Sequence, residues 1–224
     1  MRVPKAPHSW RVSPTRAVQI QRELADRVRI EPLASQCNYV AGTDLAFDKG
    51  GSDCIAGVVL WDVKHNQVVE QHVIRRKVGF PYVPGLLSFR EAPAILAVLR
   101  KLRCAPDVVM CDGHGLAHPR RFGIACHVGV IIDRPTIGCA KSRLTGVHRE
   151  PGMRRGCRTT LYDRGDRIGA VLRTRDNVRS VYVSVGHRVD LANATRLVLA
   201  CSKGRRLPEP TRLADKLVAT EKMR

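Results

Sequence analysis

Aromatic side chains make up only 4% of the 224 residues, so any interior has to be packed with aliphatic groups. Acids are short too, with 20 Asp plus Glu against 39 Lys plus Arg. No apolar run approaches the roughly 20 residues of a membrane span. The opening segment Met1-Arg2-Val3-Pro4-Lys5-Ala6-Pro7 has no apolar stretch of the secretory-signal kind. Among eight cysteines there is no Cys-x-x-Cys pair, which argues against a structural zinc site and a disulfide scaffold. Cys111 and Cys139 instead lie in apolar runs, where a thiol behaves as a small hydrophobe. These absences leave a cytoplasmic protein without membrane contact. The expected organisation is one domain over 1–224, and nothing demands more than a monomer.

What remains is strongly basic, with a formal net charge of +19 and a pI near 10.4. Thirty of the 39 basic residues are Arg, and 17 basic residues against 6 acidic ones fall between Lys141 and Arg212. A guanidinium fork suits phosphate oxygens, so the expected partner is a polyanion, nucleic acid first. An Arg-rich composition spread over a solvated surface would explain Arg over Lys. It would not explain why acids fail to balance it.

The hydrophobic pattern alternates strands with helices. Residues 13–28 read as a helix, with Ser13 as cap and Pro14 in the first turn. Strands are expected at Tyr39–Phe47, Ile55–Trp61 and Gln67–Val73, the last two joined as a hairpin through Lys64-His65-Asn66. A rigid loop at Pro81–Gly85 precedes a helix from Ser88 to about Leu102, where Ser88 and Glu91 match a capping box. Then come a strand at Asp107–Asp112, a helix near Pro119–Val130 and a strand at Thr136–Cys139. The basic stretch from Arg143 to Arg158 has no period and reads as a loop. Strands at Ile168–Thr174 and Ser180–Val185, a helix at Asp190–Ser202 and a last helix at Thr211–Thr220 complete the order. This order predicts an α/β fold: a central mixed β-sheet flanked by helices.

In Val108-Val109-Met110-Cys111-Asp112-Gly113-His114-Gly115 an apolar strand delivers a carboxylate to its C-terminal end, where open sheets place their sites. Asp44, Glu91 and Asp215 stand on other elements from which they could meet Asp112. Carboxylates gathered this way hold divalent cations that hydrolyse phosphodiesters, and Mg²⁺ needs only one or two of them per ion. Read singly, each acid is as well explained by a cap or a surface charge. His114 and His118 are four apart, but Gly115 and Pro119 interrupt any helix presenting both to zinc.

Five motifs, in order along most of the chain, carry a resemblance. They are Pro81-Tyr82-Val83-Pro84-Gly85-Leu86-Leu87-Ser88-Phe89-Arg90-Glu91; Asp112-Gly113-His114-Gly115 with His118-Pro119-Arg120; Gly138-Cys139-Ala140-Lys141-Ser142; Gly186-His187-Arg188; and Arg206-Leu207-Pro208-Glu209-Pro210-Thr211-Arg212. Together they resemble the endonuclease V family. The resemblance implies a ribonuclease-H-like fold and a Mg²⁺-dependent DNA repair endonuclease, with Mn²⁺ as a possible substitute. It would act on deoxyinosine, hydrolysing the second phosphodiester bond 3′ to the lesion and leaving 3′-hydroxyl and 5′-phosphate ends. Two alternatives stay open: an inosine-specific endoribonuclease, and a nucleic-acid-binding module without catalysis.

The resemblance assigns metal-binding acids to Asp44, Glu91 and Asp112, with Asp215 at a fourth position that is His or Asp among relatives. It marks Lys141 and His118 as catalytic and Pro81, Tyr82, Val83 and Pro84 as a strand-separating wedge, with Val83 where the family usually has Ile. The lesion pocket would comprise Leu87, Gly113, Gly115, Gly138 and Leu144. Phosphate contacts are expected from Arg90, Ser142 and His187. The chemistry agrees: two prolines stiffen an aromatic wedge, and close backbone approach can read a base turned out of its stack.

Overall fold

Val108, Val109, Met110 and Cys111 are all fully buried, and they alternate between two hydrophobic layers. A strand buried on both faces needs helices above and below it. The computed structural model, which describes residues 1–34 and 36–223, supplies them. Its eight strands are β1 (Tyr39–Phe47), β2 (Asp53–Asp62), β3 (Gln67–Lys77), β4 (Val108–Cys111), β5 (Thr136–Ala140), β6 (Arg158–Asp163), β7 (Asp166–Leu172) and β8 (Val181–His187). They form one sheet in the order β3-β2-β1-β4-β5-β8-β7-β6. Pairs β1–β4 and β4–β5 are parallel and the others antiparallel, so the sheet is mixed as expected. The ribonuclease-H-like arrangement is present.

Five helices cover it: α1 (Pro14–Ala25), α2 (Leu87–Leu99), α3 (Ile124–Ile132), α4 (Leu191–Cys201) and α5 (Glu209–Lys222). Residues of α2 and α3 pack with Ala41, Val58 and Val109 on one face. Residues of α4 and α5 pack with Val40, Met110 and Val183 on the other. Ser13 caps α1 by accepting from the Arg16 N–H at 3.2 Å, and Asp190 caps α4 through Asn193 at 2.6 Å, as their sequence positions predict. Among the described residues no helix is long and apolar enough to cross a membrane.

Three expectations fail here. Ser88 lies inside α2, whose N-cap is Leu86, so there is no capping box, and its hydroxyl pairs with His127 Nδ1 at 2.9 Å. The third helix begins at Ile124 rather than Pro119, because Gly115 to Arg121 is spent on loop turns. The expected basic loop ends where its last residue, Arg158, opens an edge strand the sequence did not predict, β6, paired with β7. The rest of that stretch wraps the buried Arg173, whose guanidinium bonds the carbonyls of Pro151 (3.0 Å), Gly152 (3.1 Å) and Val178.

Helix α5 lies directly on β1. A Cβ at Gly42 would stand 2.1 Å from the Pro210 carbonyl carbon and 2.4 Å from the Thr211 nitrogen, both backbone atoms that cannot swing away. Gly42→Ala is therefore expected to push α5 off the sheet, cost about 2–4 kcal/mol by overpacking and carry Asp215 away from Asp44. Urea melts paired with an incision assay check this; an alanine variant with unchanged midpoint would contradict the packing described.

Candidate active site

Asp44 is on β1, and Asp112 directly follows β4, the parallel neighbour of β1. Cys111 is in register with Gly138, so Asp112 and Lys141 emerge from adjacent strands at the same sheet edge. There Lys141 Nζ stands 2.7 Å from Asp112 Oδ2. From α5, Asp215 adjoins Asp44, close enough to help raise its pKa. Glu91 approaches from α2, packed on the opposite face, near enough to be repelled by both Asp44 and Asp112. The structure thus pairs Asp112 with Lys141 and sets Asp44, Glu91 and Asp215 near enough to be felt electrostatically at that sheet edge.

The electrostatics of the cluster are strained. Burial, then the charge of Asp112, then the hydrogen bond to Asp215 push the Asp44 carboxyl up to about 8. Burial followed by repulsion from Asp44 and Asp112 pushes Glu91 up to about 8 as well. Burial acts to lower the Lys141 pKa, but the hydrogen bond and charge of Asp112 outweigh it, so the ammonium is held more firmly than usual. Near neutral pH both raised acids hold protons that a cation could replace.

Among the described residues, no three Asp, Glu, His or Cys side chains already form a metal-ligating cluster. This contrasts with the mutual repulsion just described, and the two fit together physically. Asp112 is occupied by Lys141, and Asp215 adjoins Asp44. A carboxylate set closed in this way suits a hydrated Mg²⁺, which keeps most of its waters and takes one or two carboxylates directly.

Asp112 and Lys141 also form one wall of a cavity of about 350 Å³. Tyr82, Val83 and Pro84 line another side, and Leu87, Gly113, Ser142 and Leu144 contribute to its walls. Tyr82 is 70% exposed, standing out from the loop as a wedge would. Its loop is tied down at one atom. The Gly85 carbonyl accepts hydrogen bonds from Gln21 Nε2 (3.1 Å), His118 Nε2 (3.0 Å) and Arg120 Nη2 (2.6 Å). Gly85 has φ +77°, and a Cβ there would lie 2.7 Å from that Arg120 nitrogen.

Several sequence expectations need correction. His118 is 3% exposed and both ring nitrogens are engaged: Nε2 donates to Gly85, and Nδ1 accepts from the Arg120 N–H at 3.2 Å. Burial, helped by the Arg120 charge, lowers its pKa to about 4, so the ring is neutral, lines the cavity and braces the Tyr82 loop. His187 is placed at the wrong end of the sheet for a phosphate contact. It pairs with Thr136 at the start of β5, five residues or about 16 Å of strand from Lys141. There it accepts from the Arg29 N–H and donates to Asp133, both at 3.2 Å. Arg90 is committed to the carbonyls of Gly51 (3.0 Å) and Phe80 (3.3 Å) and lies over the Phe47 ring. Gly115 and Gly138 do not line the cavity; they let backbones cross, since a Cβ at Gly115 would meet the Val185 oxygen at 1.9 Å and one at Gly138 the Gly115 nitrogen at 2.6 Å.

Other residues escaped the sequence. Ile124, Arg143 and His114 line the cavity. The His114 ring donates from Nε2 to the Ser142 carbonyl at 3.1 Å, joining the Gly113–Gly115 segment to the loop after Lys141. Gln21 is fully buried at the cavity wall; besides Gly85 it donates to the Phe122 carbonyl (3.1 Å) and accepts from Arg120 Nε (2.6 Å). Only the helical spacing of α1 hinted that position 21 faces inward. Gln21→Ala would orphan a buried guanidinium nitrogen and a carbonyl. It is expected to cost about 2–3 kcal/mol and to raise KM for whatever substrate the cavity holds more than it lowers kcat. Steady-state kinetics at temperatures below the variant's melt check this; equal KM values would contradict it.

Known proteins are similar to this chain over most of its length. The Endonuclease V family model matches residues 22–216. An Endonuclease V of Roseiflexus sp. (strain RS-1) is 50% identical over 210 residues, covering 94% of each chain. The crystal structure of Endonuclease V from Streptomyces avermitilis superposes with a TM-score of 0.91 at 41% identity, covering 98% of this chain and 97% of that one. A Ciona intestinalis Endonuclease V, 26% identical with a TM-score of 0.79 over 92% of this chain and 96% of its own, was crystallised with a 24mer DNA containing an inosine followed by a ribo-adenosine.

Proposed function

The chain belongs to the endonuclease V family and is an endonuclease, and from that premise we propose that it is a Mg²⁺-dependent repair enzyme for deoxyinosine in DNA. It cuts the second phosphodiester bond 3′ to the lesion and leaves 3′-hydroxyl and 5′-phosphate ends. The observation that carries the reading is a shared lining: the Asp112–Lys141 pair and the Tyr82 loop border the same cavity. A base turned into that cavity leaves its strand running past the acids. The inosine-containing DNA bound by the Ciona relative supports the same substrate.

The roles follow from placement. Tyr82 fills the gap left by the displaced base, and Gln21, His118 and Arg120 hold its loop through Gly85. Leu87, Ile124 and Leu144 supply apolar walls, and backbone near Gly113 reads the six-position carbonyl and N1–H that separate hypoxanthine from adenine. Asp44, Glu91 and Asp112 would hold Mg²⁺ or Mn²⁺, with Asp215 assisting from α5. A bound divalent ion supplies positive charge to the phosphate and acidifies water. Lys141, anchored by Asp112, offsets charge on the scissile phosphate.

The deciding experiment is incision of matched DNA and RNA strands carrying inosine, uracil or a mismatch, with cut sites mapped. Nicking of inosine DNA alone, at the second bond on the 3′ side, is expected. Preference for inosine RNA would favour the endoribonuclease, and binding without cutting in Mg²⁺ and Mn²⁺ would favour a module without catalysis.

A further inference from the structure

Lys141 stands between two cavities. Adjoining the first is a second cleft of about 500 Å³, whose lining includes Lys141, Arg143, Arg179, Tyr182 and Arg206. Lys141, Ser142 and Arg143 belong to the walls of both. We propose that this second cleft binds the strand downstream of the cut, taking the phosphates and one base of the first nucleotides that follow the scissile bond. The proposal rests on the functional reading above, which sets the direction: a strand leaving the lesion cavity on its 3′ side passes Asp112 and Lys141 and meets this cleft next.

Charge favours a polyanion there. Five basic residues line the cleft against one acid, Glu150, and that acid is already paired with the buried Arg173 at 3.0 Å. Arg143 and Arg179 are exposed at the rim. Arg206 is used differently. Its guanidinium donates to the carbonyls of Lys141 (2.7 Å), Arg179 (3.0 Å) and Ser180 (3.1 Å). The cleft floor and the backbone of the lysine beside Asp112 are thereby one rigid piece, so a strand seated in the cleft is held in register with the acids. Apolar surface is present as well. Met153 is 54% exposed, and Tyr182 offers a half-buried ring propped edge-on against His148, with centroids 5.6 Å apart. Guanidinium groups combined with a ring on which a base can stack is the chemistry of single-strand grooves, and it reads no sequence. A short, sequence-tolerant contact is what an enzyme directed by the lesion alone requires.

The test uses the full-length protein and inosine-containing strands ending one, two or four nucleotides beyond the cut bond. KM is measured in Mg²⁺, and Kd in Ca²⁺, so that binding is read even where no incision occurs. For the unaltered protein, affinity is expected to rise about tenfold between the shortest and longest strands. In Arg179→Ala and in Tyr182→Leu that gain falls to threefold or less, while Arg179→Lys keeps most of it. The slope of log K against log salt falls by about 0.7 for each lost single-strand phosphate contact. A length gain that persists in both variants would overturn the proposal, as would equal weakening of the shortest and longest strands. So would a gain that appears only when the complementary strand is lengthened. Cutting at another bond, or no cutting, overturns the functional reading instead, and the Kd series still decides the cleft.

Discussion

The Asp112→Asn protein is expected to bind inosine-containing DNA within a few-fold of the unaltered affinity and to nick it about 10³-fold more slowly or less. Asp112 does two things at once in this structure. It is the carboxylate of β4 that repels Glu91 and Asp44, and it fixes Lys141 through a 2.7 Å ion pair. Asparagine keeps the shape and one acceptor oxygen but removes the charge that holds the ammonium and any divalent ion. The wedge loop and cavity walls rest on Gln21, His118, Arg120 and Ile124, which do not depend on Asp112, so binding survives. Because Asp112 and Lys141 act as a pair, Lys141→Met added to Asp112→Asn is expected to cost far less than Lys141→Met alone. Additive losses in kcat would show that the lysine acts independently of the aspartate.

The second large effect is on stability. Asp44 and Glu91 are raised from the ordinary carboxylate range to about 8 in the folded chain. The folded state therefore binds more protons than the unfolded one between about pH 4 and pH 8, and stability falls as pH rises through that window. Each unit of difference is worth about 1.4 kcal/mol, so two partly solvated, mutually coupled groups together weaken the metal-free fold by several kcal/mol by pH 8.5. At this chain length that corresponds to a fall in Tm of about 5–10 °C. Mg²⁺ is expected to take the place of those protons, with a stabilising effect that grows with pH. Asp44→Asn or Glu91→Gln should flatten the metal-free profile and raise Tm at pH 8.5 while abolishing incision. Thermal melts at pH 5.5, 7 and 8.5, with EDTA and with Mg²⁺, check both statements; a flat metal-free profile would contradict them.

The parts of this arrangement visible in the sequence are those set by local chemistry. Ser13-Pro14 and Asp190 announce helix starts because a capping oxygen serves the next turn wherever the chain lies. The buried run before Asp112 announces a central strand. The motif series announces the four acids and Lys141, although spacing alone could not, since their meeting depends on α5 lying over Gly42. What failed depended on strand direction or on distant partners. His187 sits in a Gly-His-Arg turn like those that hold phosphate, yet β8 runs antiparallel to β5 and ends at the far edge. Gly115 and Gly138 were expected at a ligand, but two backbones cross there instead. Gln21 and Arg120 gain their role only by meeting Gly85 across 64 and 35 residues of chain. Strand β6 was hidden by its mostly exposed edge position and the basic residues before it, although Thr159-Thr160-Leu161-Tyr162 followed by a turn at Arg164-Gly165 is a hairpin signal.

All of this depends on carboxylates from β1, α2 and β4 serving one divalent ion. Crystals grown with Mn²⁺ and measured at the manganese absorption edge test that directly. An anomalous peak within ligand distance of both Asp44 and Asp112, with Lys141 still on Asp112 Oδ2, is the expected result. A Mn²⁺ bound elsewhere would contradict it.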